Sequence, residues 1–313
     1  MTGNLVGTGV IHVTNGALTA GNSGIITVIN GVATKYIINN PTDGTVDNNI
    51  TVTVELQDIN NNIVTVGLDK DKDVTLNGDG SVTGDTLVNI NNGVGTLSLN
   101  NHVAETVNLS LTDSQSTMFN VASTQDVIFA HGVATKYVIT NPTDGTVDSA
   151  IPVTVTLQDQ YTNTITTGAD KDKDVTLNVD GSATGGSVVS ITNGTGSLNI
   201  SDHVAETVNL SLTDSQSTMF NVASTQDVIF AHGVAAKYII IDPTDGTVDN
   251  DIVVTVKLQD QYTNTVTTGA DKDKDVTLNA DGAVTNDGLV DISNGVGTLS
   301  LNDHVAETVN LSL

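Results

Sequence analysis

The sequence repeats itself with a fixed period. "VATKYIINNPTDGTV" begins at Val32, "VATKYVITNPTDGTV" at Val133 and "VAAKYIIIDPTDGTV" at Val234. Lys35, Lys136 and Lys237 are thus 101 residues apart each time, with no insertion between copies. A strict period of this length means one structural unit duplicated in tandem. It divides the 313 residues into an N-terminal segment, 1–31, and three repeats at 32–132, 133–233 and 234–313.

The second copy shows the plan of the unit. "ATKYVIT" alternates apolar and polar residues, and "NPTDG" supplies turn chemistry through Pro142, Asp144 and Gly145. "IPVTVTLQ" (151–158) sets Val153, Val155 and Leu157 on one face of an extended strand. "DVTLNV" (174–179), "ETVNLSL" (206–212) and "VASTQDVIFA" (222–231) read as further strands. "VVSITNGTGSLNI" (188–200) reads as a hairpin around Asn193–Gly194, a dipeptide that accepts the positive φ values of a type I′ turn. Val, Ile and Thr dominate, and they suit a half-buried pleated surface. Many short strands separated by turns, with no competing helical period, predict a two-sheet β-sandwich per repeat.

Composition excludes several function classes. The formal charge is −26, every cation is Lys and Arg is absent, a profile that repels nucleic acid. With no Cys, disulfides and thiolate metal sites are ruled out. No apolar run approaches the ~18 residues needed to span a membrane, and no secretory signal opens the sequence. Aromatic residues make up 3% of the chain, with no Trp, which disfavours a sugar-binding platform.

The block "PVTVTLQDQYTNTITTGADKDKDVTLN" (152–178) resembles the core of bacterial immunoglobulin-like (Big) repeats, found in invasin- and intimin-type adhesins and in large biofilm-associated surface proteins. The likeness rests on the alternating strand, on Asp58, Asp159 and Asp260 in the turn after it, and on the later Val-Thr-Leu strand. It runs from residue 32 onward through all three copies. Where that family usually carries Gly-Asn in the turn, this chain has Thr162–Asn163 and Thr263–Asn264. The resemblance implies an all-β chain of tandem immunoglobulin-like sandwiches arranged as an elongated rod, extracellular and without catalytic activity. Strands rising ~3.3 Å per residue would give domains of roughly 35–45 Å and a rod above ~100 Å.

"HVAETVNLSL" occurs at 102–111, 203–212 and 304–313, and only the first two copies run on into "TDSQSTMFNVASTQDVIFAHG". The third repeat therefore lacks its own last strand, the one that carries Val127, Ile128 and Phe129, or Val228, Ile229 and Phe230. "GIITVIN" (24–30) stands ahead of the first repeat where "QDVIFAH" stands ahead of the second. The expectation is donor-strand complementation: Ile25, Ile26, Val28 and Ile29 enter the third repeat of a neighbouring copy, against an acceptor edge of Val309, Leu311 and Leu313. Such head-to-tail contacts make a filament of identical chains when they do not close into a ring. The alternative is a stalk piece of a larger adhesin whose binding tip lies elsewhere. Residues 1–23 stay open between a remnant of an upstream domain, a partner for the donor strand and a cap on the filament joint.

Few residues offer chemistry. "DKDKD" recurs at 69–73, 170–174 and 271–275. In an extended strand Asp69, Asp71 and Asp73 would share one face, as would Asp170, Asp172 and Asp174, and Asp271, Asp273 and Asp275. Carboxylates so aligned would take Ca²⁺, a hard cation that prefers oxygen ligands; no other cofactor is implied. The competing reading is a solvated loop balanced by its Lys residues. Asp47 and Asp85 are looser oxygen donors. The His residues (His102, His203, His304, His131, His232) and Glu105, Glu206 and Glu307 follow the duplication and form no catalytic grouping. Lys136 is a weaker candidate for an isopeptide bond to an Asn on a later strand. The Asn108, Asn209 and Asn310 sequons are chance products of the composition.

Overall fold

The computed structural model describes residues 4–313; residues 1–3 of the N-terminal segment lie outside the described residues. Among them every element is a strand. The chain forms two compact units. One runs from the N-terminal segment through Ala134 and includes Asp159–Thr166; the other comprises Thr135–Gln158 and Thr167–Leu313.

The first unit opens with four short strands: β1 (Gly7–Gly9), β2 (His12–Asn15), β3 (Leu18–Asn22) and β4 (Ile26–Val28). Repeat 1 follows with β5 (Ala33–Ile38), β6 (Gly44–Thr45), β7 (Ile50–Asp58), β8 (Val74–Gly78), β9 (Leu87–Val88), β10 (Val94–Leu99), β11 (Glu105–Thr112) and β12 (Gln125–Ala130). These make two facing sheets, β10-β7-β5 and β6-β12-β11-β8-β9. The period-two pattern of β7 buries Ile50, Val52, Val54 and Leu56 against Val107, Leu109, Val127 and Phe129 of the other sheet. Each such side chain contributes roughly 1.5–3 kcal/mol on burial. β12 closes the sandwich: it pairs antiparallel with β11 and parallel with β6, so one strand covers two edges.

The second unit holds repeats 2 and 3. Repeat 2 consists of β13 (Lys136–Ile139), β14 (Gly145–Thr146), β15 (Ile151–Gln158), β16 (Val175–Val179), β17 (Val188–Val189), β18 (Thr195–Ile200), β19 (Thr207–Thr213) and β20 (Gln226–Ala231). Its sheets, β13-β15-β18 and β14-β20-β19-β16-β17, reproduce the order in repeat 1. Asn193 and Gly194 take the expected positive φ values, 48° and 78°. The hairpin of 188–200 is confined to the turn itself, where Thr192 and Thr195 form an antiparallel bridge. β17 pairs with β16 while β18 pairs with β15, so the tight turn carries the chain from one sheet to the other. Gly196 permits the crossing, because a Cβ there would lie 2.4 Å from the Ser190 carbonyl oxygen.

Repeat 3 comprises β21 (Ala235–Ile241), β22 (Ile252–Asp260), β23 (Val276–Ala280), β24 (Gly288–Val290), β25 (Val296–Leu301) and β26 (Leu311–Ser312). Its first sheet, β21-β22-β25, is complete, but the second is only β24-β23-β26. Among the described residues no strand occupies the place of β20, and Gly246–Thr247 forms no strand. Val248 is 37% exposed, against 0% for Val46 and 4% for Val147. Leu313 is 42% exposed, where Leu111 and Leu212 stand at 6% and 7%.

The N-terminal strands rebuild the end of a repeat. β1 pairs with β4 as Gly7↔Val28, Thr8↔Thr27 and Gly9↔Ile26. β11 pairs with β12 as Glu105↔Phe129, Thr106↔Ile128 and Val107↔Val127. Subtracting the 101-residue period from β12 lands on β4 residue for residue, so Ile26 and Val28 take the places of Val127 and Phe129. Within residues 4–23, Gly7–Gly9 pairs with the candidate donor strand, while β2 and β3 pair with each other. Ile25, Ile26 and Ile29 are exposed and Val28 is half-buried.

Candidate functional site

The most elaborate polar site in each repeat is the turn after the long strand of its first sheet. β7 ends at Asp58 with its side chain on the buried face, and Asp159 and Asp260 are buried in the same way. A buried carboxylate needs several donors. Asp260 receives them from the backbone N–H of Gly233 (2.8 Å), Tyr262 (2.9 Å) and Asn264 (2.9 Å), and from Asn264 Nδ2 (2.9 Å). Asp159 is held by Gly132, Tyr161 and Asn163 at the same distances. Asp58 is held by Gly31, Asn60 and Asn62. Burial opposes the charge on each, but the side-chain amide of the Asn four residues on and the converging N–H donors outweigh it. All three carboxyls sit below the ordinary range.

The same turn grips the segment before it. In the second unit, Asn264 Nδ2 donates to the His203 carbonyl (2.9 Å) and Asn264 Oδ1 accepts from the Ala205 N–H (2.9 Å). The His203 ring lies flat on Tyr262, with centroids 4.1 Å apart. Asp148 accepts from the Val234 N–H (2.9 Å) and from Gln261 Nε2 (3.2 Å). A Cβ on Gly233 would lie 2.4 Å from Asp148 Oδ1, so only glycine fits there. The first unit contains the same set: Asn163 on His102 and Ala104, His102 stacked on Tyr161, and Asp47 on Val133 and Gln160. A third version ties repeat 1 to the N-terminal segment, where Asn62 Nδ2 donates to the Asn4 carbonyl and its Oδ1 accepts from Val6.

This network gives roles to residues that sequence reasoning left as markers. Asp47 is a clasp for the following repeat rather than a loose donor. Asp85 accepts from the Gly78 N–H (3.2 Å). Asn163 and Asn264 keep the Asn of the resembling family's Gly-Asn pair, and Thr162 and Thr263, which stand in place of its Gly, take positive φ values of 77° and 78°. The D-x-x-x-N spacing at 58/62, 159/163 and 260/264 was the available signal.

The aligned-carboxylate geometry expected of the DKDKD runs is corrected. Asp69–Asp71 lie in a turn closed by the Lys72 N–H on the Asp69 carbonyl (3.0 Å), not in a strand. Asp71 instead accepts from the Asn92 N–H (2.8 Å) and Asp73 from the Ile90 N–H (2.8 Å). Asp172 and Asp174 hold Asn193 and Ile191, and Asp273 and Asp275 hold Asn294 and Ile292. Turns at Lys173 and Lys274 close on Asp170 and Asp271 in the same fashion. The runs thus pin the crossover turn between the sheets. Lys70 pairs with Asp71, and its bond together with that of Asn92 keeps the Asp71 carboxyl below the usual range. Among the described residues no three His, Asp or Glu side chains converge on one point.

The remaining candidates are structural. Glu105 accepts from Asn101 Nδ2 (2.9 Å) and the Ser81 N–H (2.7 Å). Glu206 and Glu307 accept from the N–H of Ser182 and Ala283, both at 2.6 Å. His131 and His232 each bond the Gly132 or Gly233 carbonyl through Nδ1 (2.8 Å). Lys136 lies on β13, and its counterpart Lys35 reaches Asn61, in a turn rather than on a later strand. Val309 and Leu311 are half-buried and Leu313 is exposed, along the open edge of repeat 3.

No family model matches the chain, and no curated protein matches it. Among solved structures it is similar to FdeC, an Escherichia coli adhesin, at 17% identity and a TM-score of 0.44, over 91% of this chain and 94% of that one. It is similar to invasin, a bacterial integrin-binding protein, at 14% identity and a TM-score of 0.39, over 88% of this chain and 55% of that one. InvE, a Yersinia pseudotuberculosis adhesin, follows at 15% identity and a TM-score of 0.29, over 63% and 58%. The solved structures that resemble this all-β chain of tandem immunoglobulin-like sandwiches include bacterial adhesins.

Proposed function

We propose that this chain is a non-enzymatic structural segment of a bacterial cell-surface adhesin, whose repeats space and display a binding activity located elsewhere. One observation carries this reading: the Asp–Asn clasp recurs three times at the 101-residue period, with bond lengths that match to within a few tenths of an ångström. Buried polar effort in this chain goes into fixing one repeat against the next element, and the sequence resemblance to adhesin repeats supports the same conclusion. Pulling the chain from its ends by single-molecule force spectroscopy tests it. A mechanical spacer unfolds in discrete steps, each releasing roughly 360 Å for a full repeat at ~3.6 Å per residue. Gradual extension without steps would contradict the reading.

A second reading has its own support. The open edge of repeat 3 and the match of Ile26 and Val28 to Val127 and Phe129 favour strand donation between copies. In this reading β4 of one chain lies along β26 of another, burying Ile26 and Val28 over Val248, Val309 and Leu311. In a longer polypeptide, residues after Leu313 would fill the same edge in cis. Light scattering of the 313-residue chain separates the two. Polymers that disappear in an Ile26→Asp/Val28→Asp double variant support donation, and a monomer unchanged by it excludes donation.

A further inference from the structure

The loop preceding the last hairpin of each repeat reads "NHVAET" at 101–106 but "DHVAET" at 202–207 and 303–308. In repeat 1 the buried Asn101 bridges two groups. Its Oδ1 accepts from the Val103 N–H (2.9 Å) and its Nδ2 donates to Glu105 Oε1 (2.9 Å). In repeat 2 Asp202 is 3% exposed and keeps the first bond, accepting from the Val204 N–H through Oδ1 (2.8 Å). Its other oxygen, Oδ2, stands where Asn101 carries its donor. Among the described residues it is the one buried side-chain polar atom without a partner. A buried polar atom left unpaired costs about 1–3 kcal/mol.

We propose that Asp202 is held as the neutral acid, its Oδ2–H donating to the Glu206 carboxylate, so that the two residues share one proton at the joint between repeats 2 and 3. The step takes a single proton from solvent onto Asp202 and breaks no covalent bond. It reproduces the Asn101–Glu105 hydrogen bond with an O–H in place of an N–H. Ca²⁺ could also relieve two facing carboxylates, but it takes 6–8 oxygen ligands. Among the described residues no third acid or His joins this pair to supply them.

The surroundings favour the neutral form. Burial acts first and the negative Glu206 adds to it, against the Val204 N–H, and together they raise the Asp202 carboxyl above its ordinary value. Glu206 is the charged group facing it. The adjacent His203 turns its ring onto Tyr262, and Asp260 in the facing turn is spent on Gly233, Tyr262 and Asn264. Loop 181–182 offers only the Ser182 N–H, which binds Glu206.

Location gives the proton its effect. His203 and Ala205, inside the same loop, are the residues that Asn264 clasps. A folded value above the unfolded one, near ~3.9, makes the stabilisation full below the unfolded value. It is lost as pH rises through the folded value. A rise in pH through the folded value of Asp202 therefore loosens the clasp after repeat 2 and spares the one after repeat 1, where Asn101 carries no such proton. In repeat 3 Asp303 is half-exposed and Glu307 exposed, so water screens that pair.

The test uses the full chain. Carboxyl ¹³C NMR should show Asp202 titrating above the ordinary carboxylate range, and the repeat-2 melting transition should fall by a few degrees as pH passes through that value. Asp202→Asn should flatten this pH profile while leaving the transition folded and cooperative, and Asn101→Asp should install the same dependence in repeat 1. Asp202 ionising at or below the ordinary range overturns the proposal, as does an Asp202→Asn profile identical to the parent. Restoration by added Ca²⁺ of the transition lost on raising the pH, abolished by EDTA, would overturn it too, because the pair would then be a cation site.

Discussion

Repeats 2 and 3 are built from nearly one sequence, yet one is sealed and the other is not. "VASTQDVIFA" gives repeat 2 the strand β20, which bonds β19 on one side and β14 on the other. Without it, repeat 3 loses more than one strand. Gly246–Thr247 fails to pair, β26 shrinks to two residues where β19 has seven, and Tyr238 and Ile240 lose the full burial of Tyr137 and Ile139. The central strand of the first sheet keeps its core: Val254 and Val256 remain at 0% exposure, as do Val153 and Val155. One sheet of this sandwich is thus set by local alternation, and the other depends on a strand that arrives last in the chain.

That contrast can be sharpened by experiment. The largest effect should come from extending the chain past Leu313 with the "TDSQSTMFNVASTQDVIFAHG" of repeat 2. Burying one Val and one Phe should stabilise repeat 3 by about 3–6 kcal/mol, seen in calorimetry as its transition joining those of repeats 1 and 2. Removing Phe230, which is almost fully buried in β20, by Phe230→Ala should cost about 3–5 kcal/mol. Chemical denaturation should then show repeat 2 melting as early as repeat 3.

The clasps should be next in size. Asp260→Ala leaves the N–H groups of Gly233, Tyr262 and Asn264 without their acceptor and should cost about 3 kcal/mol. It should also raise amide exchange at His203–Ala205. Because Asp58, Asp159 and Asp260 have lowered folded values, their stabilisation is present above ~3.9 and lost as pH falls through those values. An acid melt should therefore weaken all three repeats alike, the reverse of the response expected of Asp202, whose stabilisation is lost as pH rises. The smallest effect should be that of Asp273→Asn, about 0.5–1.5 kcal/mol for one hydrogen bond to Asn294. That loss should be the same with and without EDTA, and a loss that vanishes in EDTA would make the DKDKD run a calcium ligand.

The all-β sandwich was legible because period-two alternation on a strand such as Ile151–Gln158 has one burial solution. Turn residues were legible too, and Asn193–Gly194 bends as its chemistry demands. Which sheet each flanking strand joins was not, since a two-residue turn has the same local sequence whether or not it leaves its sheet. The acidic runs misled for a related reason. Alternating Asp and Lys fits a strand, but backbone N–H groups of the crossover turn stand within reach of Asp172 and Asp174 and capture them. The Asp–Asn clasp was visible only as a repeated spacing, because its partners lie about 60 residues away in sequence.

Hydrogen–deuterium exchange on the 313-residue chain tests the central claim, that a last-arriving strand seals each sandwich. The account predicts slow exchange at Val208–Leu212, fast exchange at Val309–Leu313, and slowing of the latter when a synthetic peptide of residues 222–233 is added. Equal protection of the two segments in a monomer without peptide would contradict it.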